Sequence, residues 1–354
     1  MNARGDGLNT PEPNLDRYSR QMRYAPIGEQ GQIRLASSSL AIVGCGALGS
    51  VQASILVRAG VGQVRLIDRD FVEYSNLQRQ LLFDEHDADQ GLPKAIAAAK
   101  KLAIMNSSVH LQAVVEDLNN SNIARLLEGA NLILDGTDNF ETRFLINDFA
   151  ISTGTPWVYG GCIGCDGQSM TIVPGKTACL SCLMLDGPPP PGATQTCDTA
   201  GILSTIVVTI ASFQCNEAIK ILTGQLDKIN QGLLNVGLWD NQFSLIDLAP
   251  LKDVQCPTCK VRNFKWLHGP EVSRSAVLCG RNAVQVAYLG DKQLDLVALS
   301  ERLQAFGSLR RNAYMLQAKI GNYQFSVFPD GRAIIQGTED IAKAKSLYAQ
   351  WIGN

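Results

Sequence analysis

Hydrophobic positions along the first half of the chain come in short runs, each followed by a glycine-rich or polar string and then by a stretch with helical spacing. The clearest instance is Leu40-Ala41-Ile42-Val43, which runs into Gly44-Cys45-Gly46-Ala47-Leu48-Gly49-Ser50. Helical spacing carries through residues 51–59, Gly60-Val61-Gly62 stops it, and Val64-Arg65-Leu66-Ile67 ends on Asp68. That is one βαβ unit. Further strands are predicted at 109–115 and 131–134, a helix opens at Pro93 and runs through 95–101, and another covers 140–152. This alternation predicts an α/β fold, a Rossmann-like doubly wound sheet. Beyond it, 157–161 and 168–173 read as shorter strands, a long helix ends at Leu222, and 232–248 supplies two more strands. The texture changes near Ala276: a strand at 283–286, a helix at 296–306, strands at 314–320, 323–328 and 333–335, and a helix at 341–352 predict a small C-terminal α+β domain. The divisions are a disordered polar lead-in at 1–14, a main domain at 15–265 and the small domain at 276–354.

At 354 residues and 45 % hydrophobic content, one large domain plus an appendage is the natural prior. A net charge of −2 gives no basic surplus for nucleic acid and no cationic surface for a membrane. The longest apolar run, 202–211, is interrupted by Ser204 and Thr205 and is too short to span a bilayer. The polar N-terminus has no signal-peptide pattern, so a cytoplasmic location is expected, and ten cysteines then point to thiols, metal or redox chemistry before disulfides.

A G-x-G-x-x-G turn brings backbone N–H groups to a polyphosphate at a helix start, and a carboxylate about 20 residues on, here Asp68, accepts ribose hydroxyls. The motif by itself suits a dinucleotide such as NAD first, with bound ATP or a purely structural turn as alternatives. The polar loop 70–80 shifts that order. Arg79 sets a planar cation where ligands sit in an open α/β sheet, with Asn76 and Gln80 as hydrogen-bonding neighbours. Lys94 at a helix start opposes the macrodipole; it is either an ordinary surface lysine or a phosphate partner. In Asp135-Gly136-Thr137-Asp138-Asn139, two carboxylates at a strand end suit Mg²⁺, while Asp138 or Asn139 is also able to cap the next helix. Asp16-Arg17-Tyr18-Ser19-Arg20-Gln21-Met22 reads as a helix start with Asp16 as N-cap, and its bland reading is a solvated face.

Cys179-Leu180-Ser181-Cys182 and Cys256-Pro257-Thr258-Cys259 are paired knuckles offering four thiolates to one tetrahedral Zn²⁺, a closed structural site. Cys162-Ile163-Gly164-Cys165 is a third C-x-x-C, read as free thiols with a redox pair as the alternative. Cys197 follows a proline-rich crossover and stands near a helix start, which favours a thiolate, although a loop cysteine is commonly inert.

Arg17-Tyr18-Ser19-Arg20-Gln21, the glycine turn, Ser75-Asn76-Leu77-Gln78-Arg79-Gln80, Lys94, Asp135-Gly136-Thr137-Asp138-Asn139 and the two knuckles together resemble the MoeB/ThiF family, adenylating enzymes related to ubiquitin activators. The resemblance covers residues 15–263. It implies activation by Mg-ATP of the C-terminal glycine of a ubiquitin-like sulfur-carrier protein, ThiS- or MoaD-like, to an acyl-adenylate for thiocarboxylate formation in thiamin or molybdopterin-type sulfur transfer. It further implies that Gly44, Gly46 and Ala47 line the nucleotide, that Asp68 holds the ribose, and that Ser75, Asn76, Arg79 and Lys94 hold phosphates. Asp138 then serves Mg²⁺ and Asn139 the nucleotide. By the same resemblance the protein is a homodimer whose Arg20 enters the neighbour's site, and Cys197 matches the cysteine that sulfur-transferring relatives use, with a persulfide protein as sulfur donor. Two rival classes are a non-catalytic partner subunit and an NAD-dependent oxidoreductase. Of the three histidines, His86, His110 and His268, none lies in a string that suggests hydride transfer.

Overall fold

The computed structural model describes residues 15–188, 197–269, 275–278, 282–286 and 294–353. The lead-in and the proline-rich crossover lie outside the described residues, as do Cys279 and the side chain of Cys197.

Eight strands form the main sheet: β1 (Ser39–Val43), β2 (Gln63–Ile67), β3 (His110–Val114), β4 (Leu132–Asp135), β5 (Trp157–Ile163), β6 (Asp166–Ile172), β7 (Leu233–Gly237) and β8 (Gln242–Ile246). Their order is β3-β2-β1-β4-β5-β6-β7-β8, with β1 to β5 parallel and β5 to β8 antiparallel neighbours. Val43 pairs with both Ile67 and Asp135, so β1, β2 and β4 end level. The chain leaves β1 in opposite directions on either side of that point, which opens a crevice at the carboxyl ends.

Helices Ala47–Ala59, Lys94–Met105 and Ser204–Leu222 cover one face around Leu40, Leu56, Ala98, Leu102 and Ala218. Helix Phe140–Thr153 covers the other around Phe144, Phe149, Trp157 and Ile172. Each fully buried large side chain of this kind contributes about 1.5–3 kcal/mol of transfer free energy. Ser204–Leu222 is long and apolar enough by composition to cross a bilayer, which reading the run only to residue 211 missed. It packs against β5, β6 and Ala47–Ala59, and its buried Gln214 donates to the Asp135 carbonyl (2.9 Å) and the Val158 carbonyl (3.2 Å). Gln52 donates to Gln214 (2.6 Å) and to the same Asp135 carbonyl (2.9 Å). Two helices are thereby pinned to the end of β4.

Two local expectations change. Asp16 lies inside a 3-10 turn, Leu15–Tyr18, and the N-cap position of the helix after it, only Ser19–Met22, falls to Tyr18. Among the described residues the C-terminal domain has six strands where four were expected: β9 (Ser275–Leu278), β10 (Ala283–Val286), β11 (Ser308–Arg311), β12 (Leu316–Ile320), β13 (Tyr323–Val327) and β14 (Ala333–Gln336), in the antiparallel order β11-β12-β13-β14-β10-β9. β9 and the charged β11 were missed because neither alternates apolar with polar residues. Helices Leu296–Leu303 and Ile341–Trp351, capped by Asp295 and Asp340, close one face over Leu299, Phe325, Ile335 and Leu347.

Candidate active site

The crevice holds a cavity of about 620 Å³ walled by Gly44, Gly46, Ala47, Asp68, Arg79, Gln80, Lys94, Asp138 and Asn139 among others. Its floor is the glycine turn. Gly44 has φ +89°, and a Cβ on it would lie 2.5 Å from the Gly136 carbonyl oxygen; a Cβ on Gly49 would lie 1.8 Å from the Gly44 oxygen. Those two glycines seat the helix start against the ends of β1 and β4. Gly46 differs: a Cβ there would meet only Gln80 Nε2, at 3.8 Å, so the space before it belongs to the cavity. Gly46 is the N-cap of Ala47–Ala59 and no side chain caps that helix, which leaves its first N–H groups for an anion. The half-buried Asp68 carboxylate accepts from the N–H of Cys45 (2.6 Å) and of Asp70 (2.7 Å). Burial pushes its carboxyl up, while nearby Lys94 pulls it back.

Lys94 begins its helix with a buried side chain; its Nζ is 3.2 Å from Asp70 Oδ2, and its N–H donates to the Asp70 carbonyl at 2.8 Å. The surface-lysine reading is therefore wrong. Arg79 lines the cavity and donates Nη1 to the Ser75 carbonyl at 2.9 Å. Ser75 and Asn76 themselves form the 3-10 turn behind Arg79 and are absent from the cavity wall, as is Arg20 on Ser19–Met22. Cys197 begins the short helix Cys197–Ala200, and its side chain lies outside the described residues.

The expected pair of carboxylates separates into two roles. Asp135 is fully buried and takes the N–H (2.8 Å) and hydroxyl (2.7 Å) of Thr137, the Gly160 N–H (3.3 Å) and Arg143 Nε (3.0 Å). It has no face toward a metal. Asp138 is exposed on the cavity wall and is the one left for a cation. Asn139 caps Phe140–Thr153 by accepting from the Thr142 N–H at 2.9 Å, so the capping reading holds for it.

Three wall residues were not anticipated. Arg143 ties Asp135 to the Thr137 carbonyl (2.7 Å) and the Gly160 carbonyl (3.1 Å), so it fixes the turn that presents Asp138. Burial works against its charge, but Asp135, Tyr159 and Asp138 together more than compensate and hold the guanidinium above its ordinary range. Arg69 pairs with Asp117 at 2.9 Å, adding a cation and its counter-ion to the same wall. A lone arginine one turn inside the helix after Asp138 was the available signal for Arg143; Arg69 and Asp117, far apart in sequence, had none.

Cys179, Cys182, Cys256 and Cys259 place their four sulfurs within 4.8 Å of one another, with close pairs at 3.7, 3.6 and 3.4 Å. Four Zn–S bonds of about 2.3 Å in a tetrahedron require S···S edges of about 3.8 Å, so the set fits zinc without rearrangement. Asn147 supports it, donating to Cys179 Sγ (3.8 Å) and accepting from the Leu180 N–H (3.0 Å). Hydrogen bonds from Cys179 and Cys182 pull the Cys256 thiol down to about 2, the character of a ligand thiolate. Cys162 and Cys165 are reduced, sit on the β5–β6 hairpin, and take no part in this cluster.

Residues 18–258 match the ThiF family. The sulfur carrier protein ThiS adenylyltransferase of Bacillus subtilis is 46 % identical over 338 residues, covering 95 % of this chain and 99 % of the relative. The sulfur carrier protein adenylyltransferase of Thermus thermophilus is 38 % identical over 251 residues, 69 % of this chain and 90 % of the relative. Among solved structures, E. coli MccB with ATP superposes with a TM-score of 0.59 at 22 % identity, over 70 % of this chain and 75 % of that one, a likeness of fold. The match to the family extends from Tyr18 to Thr258, across the glycine turn, the cavity and three of the four clustered cysteines, and the chain is a member of the ThiF family.

Proposed function

We propose that this chain is an adenylyltransferase that uses ATP to activate the C-terminal glycine carboxylate of a ubiquitin-like sulfur-carrier protein. The observation that carries the reading is the set of cations brought to the glycine turn: Lys94, held by Asp70, Arg69, held by Asp117, and Arg79 line one cavity with the uncapped helix start and Asp68. A nicotinamide site has no use for that charge, whereas a triphosphate does. The names of the relatives from B. subtilis and T. thermophilus supply the carrier class.

A carboxylate is a poor electrophile until one of its oxygens becomes a leaving group. In the reaction the glycine carboxylate attacks the α-phosphorus, an O–P bond forms, the bond to the β-phosphate oxygen breaks, and pyrophosphate leaves with its electron pair. Charge builds on phosphate oxygens, so fixed cations contribute more than a base. Asp68 orients the ribose; the helix start at Gly46 and Ala47, with Arg79 and Lys94, holds the phosphates; Ser75 and Asn76 act by shaping the Arg79 turn. Mg²⁺, held by Asp138, would supply further neutralisation of the phosphates. Zn²⁺ in the cysteine cluster ties helix Phe140–Thr153 to the chain near 256–259 and stays structural, because four thiolates leave no open position.

The carrier's body is assigned to β8 and the turn before it, where Trp239 (77 % exposed), Phe243 (61 %) and Leu245 (63 %) form an apolar patch. β8 lies beside β7, whose Asn235 lines the cavity, and stands across β7, β6, β5 and β4 from β1, about 24 Å, so an extended tail of about seven residues spans from patch to phosphate site. The dimer reading sends Arg20, exposed and outside this chain's own cavity, to a partner copy. Cys197 is the candidate for a covalent carrier adduct, with sulfur from a persulfide donor. ATP–pyrophosphate exchange against carrier proteins ending in Gly-Gly tests the reading: exchange that depends on one such carrier is expected, and its absence with every carrier while the protein binds ATP refutes it.

A further inference from the structure

The small C-terminal domain touches the main domain at the two segments that carry Asp70 and Lys94. Those segments form a short ladder in which Phe71 bridges Pro93, the Val72 N–H donates to the Leu92 carbonyl (2.9 Å), and the Lys94 N–H donates to the Asp70 carbonyl (2.8 Å). On the first segment Phe71, 7 % exposed, is buried among Ala283, Met315, Phe328 and Ile334, all from the C-terminal domain. Arg332, buried and stacked over Phe328 at 4.1 Å, sets both terminal nitrogens 3.4 Å from the Arg69 carbonyl. On the second segment Asn312 donates Nδ2 to the carbonyls of Gln90 (2.9 Å) and Gly91 (3.0 Å). A third contact closes the set: Gln285 on β10 donates to Asp117 Oδ2 at 3.0 Å, the oxygen that also takes Arg69 Nη1 at 2.9 Å.

We propose that the C-terminal domain is a working part of the nucleotide site, with Gln285, Asn312 and Arg332 as positioning residues that set Arg69, Asp70 and Lys94 for the phosphates. The inference rests on reading the cavity as an ATP site. A buried lysine held by one carboxylate has its charge wherever that carboxylate stands, and a displacement of about 1 Å is enough to spoil a site built for close electrostatic contact. The clamp bears on both strands of the ladder at once, so it fixes their relative register as well as their position. An appendage with no role in the site has no reason to bury Phe71 or to place an amide on Asp117. The family match ends at Thr258, while the B. subtilis relative aligns over 338 residues and so through the C-terminal domain as well; the contact is expected to tune nucleotide affinity, leaving the chemistry to the main domain.

The test uses the full-length chain with Gln285→Leu and, separately, Asn312→Asp, which keeps the acceptor that Asn312 presents to the N–H groups of Tyr314 (2.8 Å) and Met315 (2.9 Å). Calorimetric titration with Mg-ATP is expected to weaken by about fivefold to tenfold in each variant, the scale of one ordinary hydrogen bond. KM for ATP in carrier-dependent exchange should rise in parallel, with KM for the carrier unchanged. A merely structural role would instead lower all activity in proportion to the folded fraction measured by circular dichroism, and that result overturns the proposal, as does unchanged ATP affinity in two folded variants. Wild-type protein that binds no Mg-ATP overturns the ATP reading itself and the inference with it; wild type that binds ATP beside unaffected variants overturns only the inference.

Discussion

Arg143→Met removes the guanidinium that locks the end of β4 to the turn carrying Asp138. Its side chain is 8 % exposed and its partner Asp135 is fully buried, with Nε 3.0 Å from Oδ2. Stripping one partner from a buried ion pair costs about 3–5 kcal/mol, because the other charge is left uncompensated. Asp135 keeps three donors, the Thr137 N–H, the Thr137 hydroxyl and the Gly160 N–H, which places the loss toward the lower end. The carbonyls of Thr137 and Gly160 each lose a charged donor, at about 1 kcal/mol apiece, and the methionine stem recovers a similar amount by packing on Phe140 and Tyr159, where the guanidinium now lies at 5.1 and 5.3 Å. The expected loss is about 3 kcal/mol. Urea unfolding followed by near-UV circular dichroism reads it as a lowered midpoint at constant slope. Asp135→Asn removes the charge that Arg143 answers, so the double variant should lose less than the sum of the singles, with a coupling energy of about 2 kcal/mol. A loss below about 1 kcal/mol in Arg143→Met, or strict additivity in the cycle, refutes the account of Asp135 as a structural carboxylate.

Lys94→Ala should reduce carrier-dependent pyrophosphate exchange by about 10²–10³-fold, the effect of deleting one preorganised electrostatic donor, and unchanged exchange would count against its phosphate role. Cys256→Ser should lose zinc and stability together, since ligation is coupled to folding; elemental analysis of wild type is expected to give one zinc per chain, and none in fresh protein contradicts the cluster's assignment. Lys101, bonded to Asp84 and 3.0 Å from Asp87, tests the pH dependence. Its Lys101 hydrogen bond holds the Asp84 carboxyl below the ordinary value, so that contribution is present above about pH 4 and is lost as pH falls through the folded value. Burial opposes the Lys101 charge but the two aspartates raise its pKa overall, so its contribution persists to about pH 10.5 and is lost above. The melting difference between wild type and Lys101→Met should therefore be flat across that window and shrink at both ends; a difference that varies through neutrality sinks it. Cys197→Ala should retain exchange yet abolish any thiol-sensitive carrier adduct and lower thiocarboxylate yield, and full yield with the physiological donor would make Cys197 a bystander.

The parallel half of the fold was readable because each strand is a compact apolar run ended by glycine or a carboxylate, and β1, β2 and β4 stand within a residue of their expected places. The motif glycines were readable for the same local reason. Gly44 and Gly49 answer to backbone atoms only a few residues away or across one strand, and Gly46 to the ligand space itself. What local pattern does not encode is which polar residue a buried charge chooses. Asp135 and Asp138 look alike in Asp135-Gly136-Thr137-Asp138-Asn139, yet β4 ends on Asp135 and buries it, whereas Asp138 has left the strand. The unforeseen edge of the six-stranded sheet has a similar origin: β11, Ser308–Arg311, is stabilised as an edge by pairing to β12, and its sequence carries no apolar stripe.

Lys94 joins the two levels. A lysine on the first turn of a helix is disfavoured by the macrodipole, and that local conflict marked it as a residue held for some other purpose. In the fold it is also buried, which adds a desolvation cost that a surface partner would not repay. Asp70, 24 positions earlier, answers both costs without a ligand, at 3.2 Å and on the same short ladder. The resident carboxylate therefore does two things that a phosphate alone does not: it fixes the ammonium in place before nucleotide arrives, and it stands as the group with which the triphosphate must share that ammonium. Replacing Asp70 with Asn would weaken the hold on the lysine and lift the competition together, so the two effects on ATP affinity oppose each other. The informative deletion at this wall is thus Lys94 itself, where both effects have the same sign.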